Sequence, residues 1–277
     1  HGTLVGTDPD DFMTLVHLSK LHATGNDFLV ALDDELKVAP ETAQALCDRH
    51  RGIGADGLIV IGPGRDGADC TMTLSNADGG IAEMSGNGIR CLAYVAARAG
   101  LGSRDELVVD TGGGRRVVRM VRADDGAVTA ADVDMGAVEL GPRDVPVIVR
   151  GVTYVGDDAS VGNPHFVCFV EDPLAVPVSE HGAEIERDAR FPVGVNVEFI
   201  AVDARDALTM RVWERGVGET LSCGTGACAA AAVAHDRGLV DDHVRVLVPG
   251  GELTVALGAT VRLGGPVMHV FDVEVEI

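Results

Sequence analysis

The chain has 277 residues, 46% of them hydrophobic, enough for one large domain or two of ordinary size around a substantial core. Its 43 acidic residues against 22 basic ones give a formal net charge of −21, which argues against the basic face that nucleic acid or an anionic membrane requires. No apolar run is long enough for a spanning helix, and the start lacks the basic-then-apolar pattern of a signal peptide.

Residues 1–12 are polar and patternless and are expected to be an extension or a cloning remnant, with Met13 opening the first strand pattern. Gly25-Asn26-Asp27-Phe28 follows that strand. A helical segment, Glu41 to His50, then leads into Gly52-Ile53-Gly54-Ala55-Asp56-Gly57 and the strand sequence LIVIG. The glycine pattern fits a dinucleotide fingerprint, but that fingerprint follows a strand and opens a helix. Here the order is reversed, so nucleotide binding is not expected. Next come Asn76-Ala77-Asp78-Gly79 and the stretch Ser85 to Leu101, which reads SGNGIRCLAYVAARAGL.

After a unit boundary near Val133–Gly136 the same order returns. Gly162-Asn163-Pro164-His165 precedes a strand pattern over Leu208 to Trp213 that ends at Glu214, and then CGTGACAAAAVAHDRGL over 223–239. The two G-x-G stretches lie 138 residues apart, and at the same offset Asn76 meets Glu214 and Gly112-Gly113 meets Gly250-Gly251. Gly25-Asn26 and Gly162-Asn163 align at an offset of 137. Four ordered matches indicate a duplicated unit. Each copy is expected to wrap short strands around one central helix, since an alanine-rich helix that is small and apolar all round is a buried one. The second such helix is placed at Thr225 to Asp236. This predicts a mixed α/β (α+β) fold: a first domain over 13–134, a second over 135–265, and a strand-like tail over 266–277. The tail has no counterpart in the repeat and is assigned to the first domain.

Six cysteines are present, none in a C-x-x-C pair or a zinc spacing. Free thiols in a reducing cytosol are the simplest reading, so a cytoplasmic location is expected. Cys223 stands immediately before a helix, where the positive end of the macrodipole is expected to lower its pKa. The following glycines expose the N–H groups of the first turn, an anion site. Ser85 holds the same place in the first copy, where an ordinary N-cap is the plain alternative. A twofold-related pair of such helices would aim both N-termini at one point. One group could then take a proton from an α carbon while the other returns one from the opposite face.

The ordered motif series resembles that of the diaminopimelate epimerase family. It comprises Gly25-Asn26-Asp27-Phe28, Asn76-Ala77-Asp78-Gly79, Gly86-Asn87-Gly88-x-Arg90, Gly162-Asn163-Pro164-His165, Glu214-Arg215-Gly216-x-Gly218-Glu219-Thr220 and Cys223-Gly224-Thr225-Gly226. Pro249-Gly250-Gly251 extends it. The resemblance implies two barrel-like domains with the site between them, and proton transfer at one end of LL-diaminopimelate to give the meso isomer, with no cofactor and no metal. Cys223 becomes one catalytic thiol. Gly86, Asn87, Gly224 and Thr225 would cradle the reacting carboxylate. Asn26, Asn76, Asn163, Asn196 and Arg215 would hold the substrate, Arg215 at the distal carboxylate. His165 and Glu214 would flank the reacting centre. The resemblance also implies a homodimer.

Three positions depart from the family pattern. Ser85 replaces the first catalytic cysteine, and a hydroxyl is a far weaker acid than a thiol of pKa about 8.5. Gly57 stands where Gln is frequent. Phe271 stands where the family has a Tyr at its dimer contact. Ser85 keeps two other readings open: a related cofactor-independent racemase, isomerase or dehydratase, or a catalytically dead protein that binds a diamino diacid.

Overall fold

A computed structural model describes residues 14–33 and 35–277; the expected extension over residues 1–12 and the placement of Met13 lie outside the described residues. The first half contains β1 (Leu15–Ala23), β2 (Asn26–Leu32), α1 (Pro40–Cys47), β3 (Gly57–Pro63), β4 (Cys70–Asn76), β5 (Ile81–Ala82), α2 (Gly86–Arg98), β6 (Glu106–Thr111), β7 (Gly114–Arg122) and β8 (Val128–Gly136). The second contains β9 (Glu139–Leu140), β10 (Val145–Val149), β11 (Val152–Ser160), β12 (Pro164–Phe169), α3 (Val178–Glu186), β13 (Asn196–Ala204), β14 (Ala207–Glu214), β15 (Gly218–Thr220), α4 (Gly224–Asp236), β16 (His243–Val248), β17 (Gly251–Ala256), β18 (Val261–Pro266) and β19 (Met268–Glu276).

Strand pairing makes the duplication explicit. The first half runs β19–β1–β2–β3–β4–β6–β7–β8, with β2·β3 and β4·β6 parallel. The second runs β10–β11–β12–β13–β14–β16–β17–β18, with β12·β13 and β14·β16 parallel. The tail β19 therefore takes the place beside β1 that β10 takes beside β11, although the two segments share no sequence pattern. The halves join where the equivalent strands β8 and β18 pair antiparallel, Val133 opposite Leu263.

Each half wraps its strands around one helix. Ten residues of α2 and nine of α4 are buried, so each helix is sealed within its half. Ile89, Leu92, Ala93 and Ala96 of α2 and Ala227, Ala230, Ala231 and Ala234 of α4 share one continuous core. Alanine keeps α4 slim enough for strands to close around it. The first helix is shorter than the sequence suggests. It stops at Cys47 because the Asp48 carboxylate accepts hydrogen bonds from the amides of His50 and Arg51, at 2.7 and 2.9 Å, and turns the chain.

Candidate active site

The two helices begin against each other. A Cβ built on Gly224, the first residue of α4, would lie 3.5 Å from Gly86 Cα, the first residue of α2. Either added Cβ would also come 2.7 Å from Leu263 Cδ2, so this side chain occupies the space beside both helix starts. Glycine at 86 and 224 is thus a packing requirement as well as a way to bare N–H groups.

Each helix is capped by the residue singled out in the sequence. Ser85 Oγ accepts from the Gly88 amide at 3.0 Å, and Cys223 Sγ from the Gly226 amide at 3.4 Å. Thr225 Oγ1 lies 3.5 Å from the same sulfur and accepts from Asn163 Nδ2 at 3.4 Å. Asn163 Oδ1 lies 2.9 Å from His165 Nε2, and His165 Nδ1 lies 2.7 Å from Glu198 Oε1. Cys223, Thr225, Asn163 and His165 therefore form one contiguous cluster. Glu214 joins it at the end of β14, where its carboxylate accepts from the Thr220 hydroxyl.

The electrostatics correct one expectation. Cys223 is only 5% exposed, and burial pushes its thiol well above the ordinary value. Nearby Glu214 and Glu198 add to that rise, and the Thr225 hydroxyl and the Gly226 amide only partly oppose it. Enclosure and neighbouring carboxylates thus outweigh the helix end and favour the protonated thiol. Burial likewise raises Glu214, against lowering contacts from Thr220 and Cys223.

On the other side Asn87 ties the halves together. Its Nδ2 donates to Ser222 O and to Asn26 Oδ1, both at 3.1 Å. Asn26 Nδ2 donates to Asp56 Oδ2 at 2.7 Å. Arg49 holds Asp56 at 2.8 Å and Asp27 at 2.6 Å, and Lys20 pairs with Asp27. Hydrogen bonding from Arg49, Lys20 and Asp56 holds the Asp27 carboxyl well below the usual range, although burial, the largest single influence, opposes it. Asn196 is buried at the start of β13, where Oδ1 accepts from the Arg215 amide at 2.9 Å and Nδ2 donates to Pro164 O at 2.8 Å.

Two expected contact residues carry exposed side chains at the edge of this cluster. Arg215 is exposed, and its guanidinium donates to Val193 O at 3.2 Å. Asn76 is exposed at the end of β4, opposite Gly57 in register, and among the described residues its side chain makes no hydrogen bond. Glu198, Asp56 and Ser222 were not singled out by the sequence reading. Glu198 carried a usable signal, an acidic residue inside the apolar run of β13. Asp56 and Ser222 carried none, since their partners are 30 and 198 residues away in the chain. Among the described residues no group of three or more His, Cys, Asp or Glu side chains is placed to hold a metal ion.

Comparison with known proteins gives a consistent picture. The family model described as diaminopimelate epimerase matches residues 18–141 and 159–268. A protein named diaminopimelate epimerase from Azoarcus sp. (strain BH72) is 40% identical over 95% of this chain and 99% of its own length. One of the same name from Desulfitobacterium hafniense (strain DSM 10664 / DCB-2) is 41% identical over 92% and 96%. Among solved structures, a hydroxyproline epimerase from Agrobacterium vitis superposes with a TM-score of 0.71 at 18% identity, covering 95% of this chain and 91% of that one. A phenazine biosynthesis protein of the PhzF family from Bacillus anthracis gives 0.73 at 16% identity, covering 96% and 100%. At those identities the structural likeness speaks for the fold alone.

Proposed function

The chain belongs to the diaminopimelate epimerase family, and from that premise we propose that it inverts one α carbon of LL-2,6-diaminopimelate to give the meso isomer, without cofactor or metal. The observation that carries this reading is the pair of N-caps, Ser85 and Cys223, on helices whose first residues abut. A carboxylate bound on the two sets of first-turn amides, with Gly86, Asn87, Gly224 and Thr225 around it, places its α carbon between the two caps. Asn26, Asn76, Asn163 and Asn196 surround the rest of the substrate. Arg215, with a largely unoccupied guanidinium, takes the distal carboxylate as a bidentate fork.

The proton path is asymmetric. Glu214 contacts the Cys223 thiol, and the His165–Glu198 pair steadies Asn163 and Thr225 from behind. Once Cys223 is ionised it takes the α proton on its own face. Replacement from the opposite face falls to Ser85, whose hydroxyl can give a proton but is poorly regenerated as a base. Stereoinversion is therefore slow compared with proton exchange on the Cys223 face. The same serine supports the second reading, a protein that binds the diamino diacid without turning it over.

We also assign the protein to the cytosol, supported by six unpaired thiols. Among the described residues no helix is long and apolar enough to cross a membrane. A homodimer is supported by the exposed apolar side chains Met268, Val270 and Phe271 on β19. The unit boundaries are assigned at 13–134 with 266–277, and 135–265. Metal-free protein titrated with LL-diaminopimelate by calorimetry, with chiral analysis of the product, tests the function. Absence of heat at millimolar ligand would remove it.

A further inference from the structure

Arg90 lies in the first turns of α2 with its side chain fully shielded from solvent. Its Nη1 donates to Gly86 O at 3.1 Å, and its Nη2 to Asn87 Oδ1 at 2.8 Å and Thr24 Oγ1 at 3.3 Å. Thr24 passes the link to Ser222 at 2.7 Å. The strand β18 covers the guanidinium, and a Cβ on Gly265 would come 3.2 Å from its Cζ. Among the described residues no carboxylate lies within ion-pair distance, and the buried Nε has no partner. Asp132, the acidic group it senses, pairs instead with Arg262 at 3.6 Å. In the second half the matching position is Cys228, which is buried and neutral.

A buried cation without a counter-charge is costly, and a lost partner for such a charge is felt strongly. Here the cost is compounded, because the positive ends of two helices meet beside it. The arrangement makes sense if the counter-charge arrives with the ligand. Arg90 also settles which way Asn87 faces: with Oδ1 engaged by the guanidinium, Nδ2 must point toward Asn26 and Ser222.

We propose that Arg90 is a positioning residue for the reacting carboxylate, fixing Asn87 and supplying from behind the helix starts the buried positive charge that an anionic ligand balances. This rests on the functional reading above. It assigns Arg90 no contact with the substrate; it acts through Asn87 and through the field at the two helix ends.

The test compares the full-length parent with Arg90→Lys, Arg90→Gln and Arg90→Met, each checked for fold by circular dichroism. Calorimetry with LL-diaminopimelate and KM and kcat for α-proton exchange are the readouts. Both neutral variants should bind about 10–100-fold more weakly, the range of coupling between groups in one network, and Arg90→Lys should recover most of that loss. A purely structural role would change melting temperature without this charge-specific rescue. Neutral variants that fold and bind as the parent does would overturn the proposal, as would equal impairment of lysine and glutamine. Neutral variants that both fail to fold, beside a normal Arg90→Lys, would assign Arg90 to folding and also overturn it. If the parent binds no diaminopimelate, the functional reading fails, and acetate then decides for Arg90. Acetate, measured against chloride at equal ionic strength, should raise the melting temperature of the parent and not of Arg90→Gln. No stabilisation of the parent, or equal stabilisation of both, would overturn the assignment.

Discussion

Glu198 Oε1 lies 2.7 Å from His165 Nδ1, and both side chains are fully shielded from solvent. By strand register the matching positions of the first half are Ile59 and Phe28. The difference reaches the helix starts. A Cβ on Gly226 would meet Glu198 Oε1 at 2.6 Å, whereas one on Gly88 would meet Ile59 Cδ1 at 3.0 Å. The thiol half is thus backed by polar groups and the serine half by apolar ones.

Breaking that pair should cost stability. Glu198→Ala leaves His165 buried with one ring nitrogen unsatisfied, and a buried polar group left without its partner costs about 1–3 kcal/mol. Urea unfolding should show a drop of that size, with Glu198→Gln closer to the parent. A change below about 1 kcal/mol would show that the pair is not a structural requirement.

Restoring the thiol should accelerate inversion. Ser85→Cys is expected to raise epimerisation of LL-diaminopimelate by about 10²–10⁴-fold, the usual worth of general acid–base assistance. Cys223→Ser should abolish α-deuterium incorporation. A parent chain that already epimerises as fast as Ser85→Cys would contradict the two-base account.

The reaction should favour alkaline pH. Burial and neighbouring carboxylates raise the Cys223 thiol, so its ionised fraction in the free protein grows about tenfold per pH unit through neutrality. The rate of α-proton exchange, taken as kcat/KM, should climb between about pH 7 and 9 without levelling. A plateau beginning below pH 7 would mean that Cys223 ionises far more readily than its surroundings imply.

Alkali should also unfold the protein. Burial raises Cys47 to about 11 and Cys70, Cys91 and Cys228 to about 12, from an ordinary value of 9.0. The folded state then holds protons that the unfolded chain releases, so stability is intact below about pH 9 and falls as pH rises toward those values. Each of the three thiols raised to about 12 forfeits about 2–3 kcal/mol by pH 11. Their sum rivals the whole stability of a typical domain. Melting temperature should decline steeply above pH 9, and Cys91→Ala with Cys228→Ala should flatten the decline.

The proposed dimer would cover Phe271, which is 41% exposed beside Val270 and Met268. Light scattering should give twice the 28.7 kDa chain mass, and Phe271→Asp should shift it toward one. A parent that scatters as a single chain at micromolar concentration would remove the dimer.

Much of this was legible in the residues. The offset between Ser85 and Cys223 identified both helix starts, and glycine and alanine placed α2 and α4 at the centre of their halves, because buried helices announce themselves by composition. What the sequence concealed depends on distance in the chain. Thr24 meets Ser222 across 198 residues, and Asn26 finds Asp56 across a parallel strand pair. The ionisation of Cys223 was misread for the same reason. The helix end is a local signal, but the enclosure that raises the thiol comes from the packing of distant strands, with Glu214 and Glu198 adding to it.

The pairing of β19 with β1 bears on how the protein is made. Leu15 to His22 bonds to Met268–Glu276, the last strand of the chain. On the ribosome, at about 5–20 residues per second, β1 therefore waits on the order of 10–50 seconds for its flanking strand. Throughout that interval β1 presents an open edge to other nascent chains. Translation speed and chaperone supply, more than final stability, should govern how much of this protein reaches its folded state in a cell.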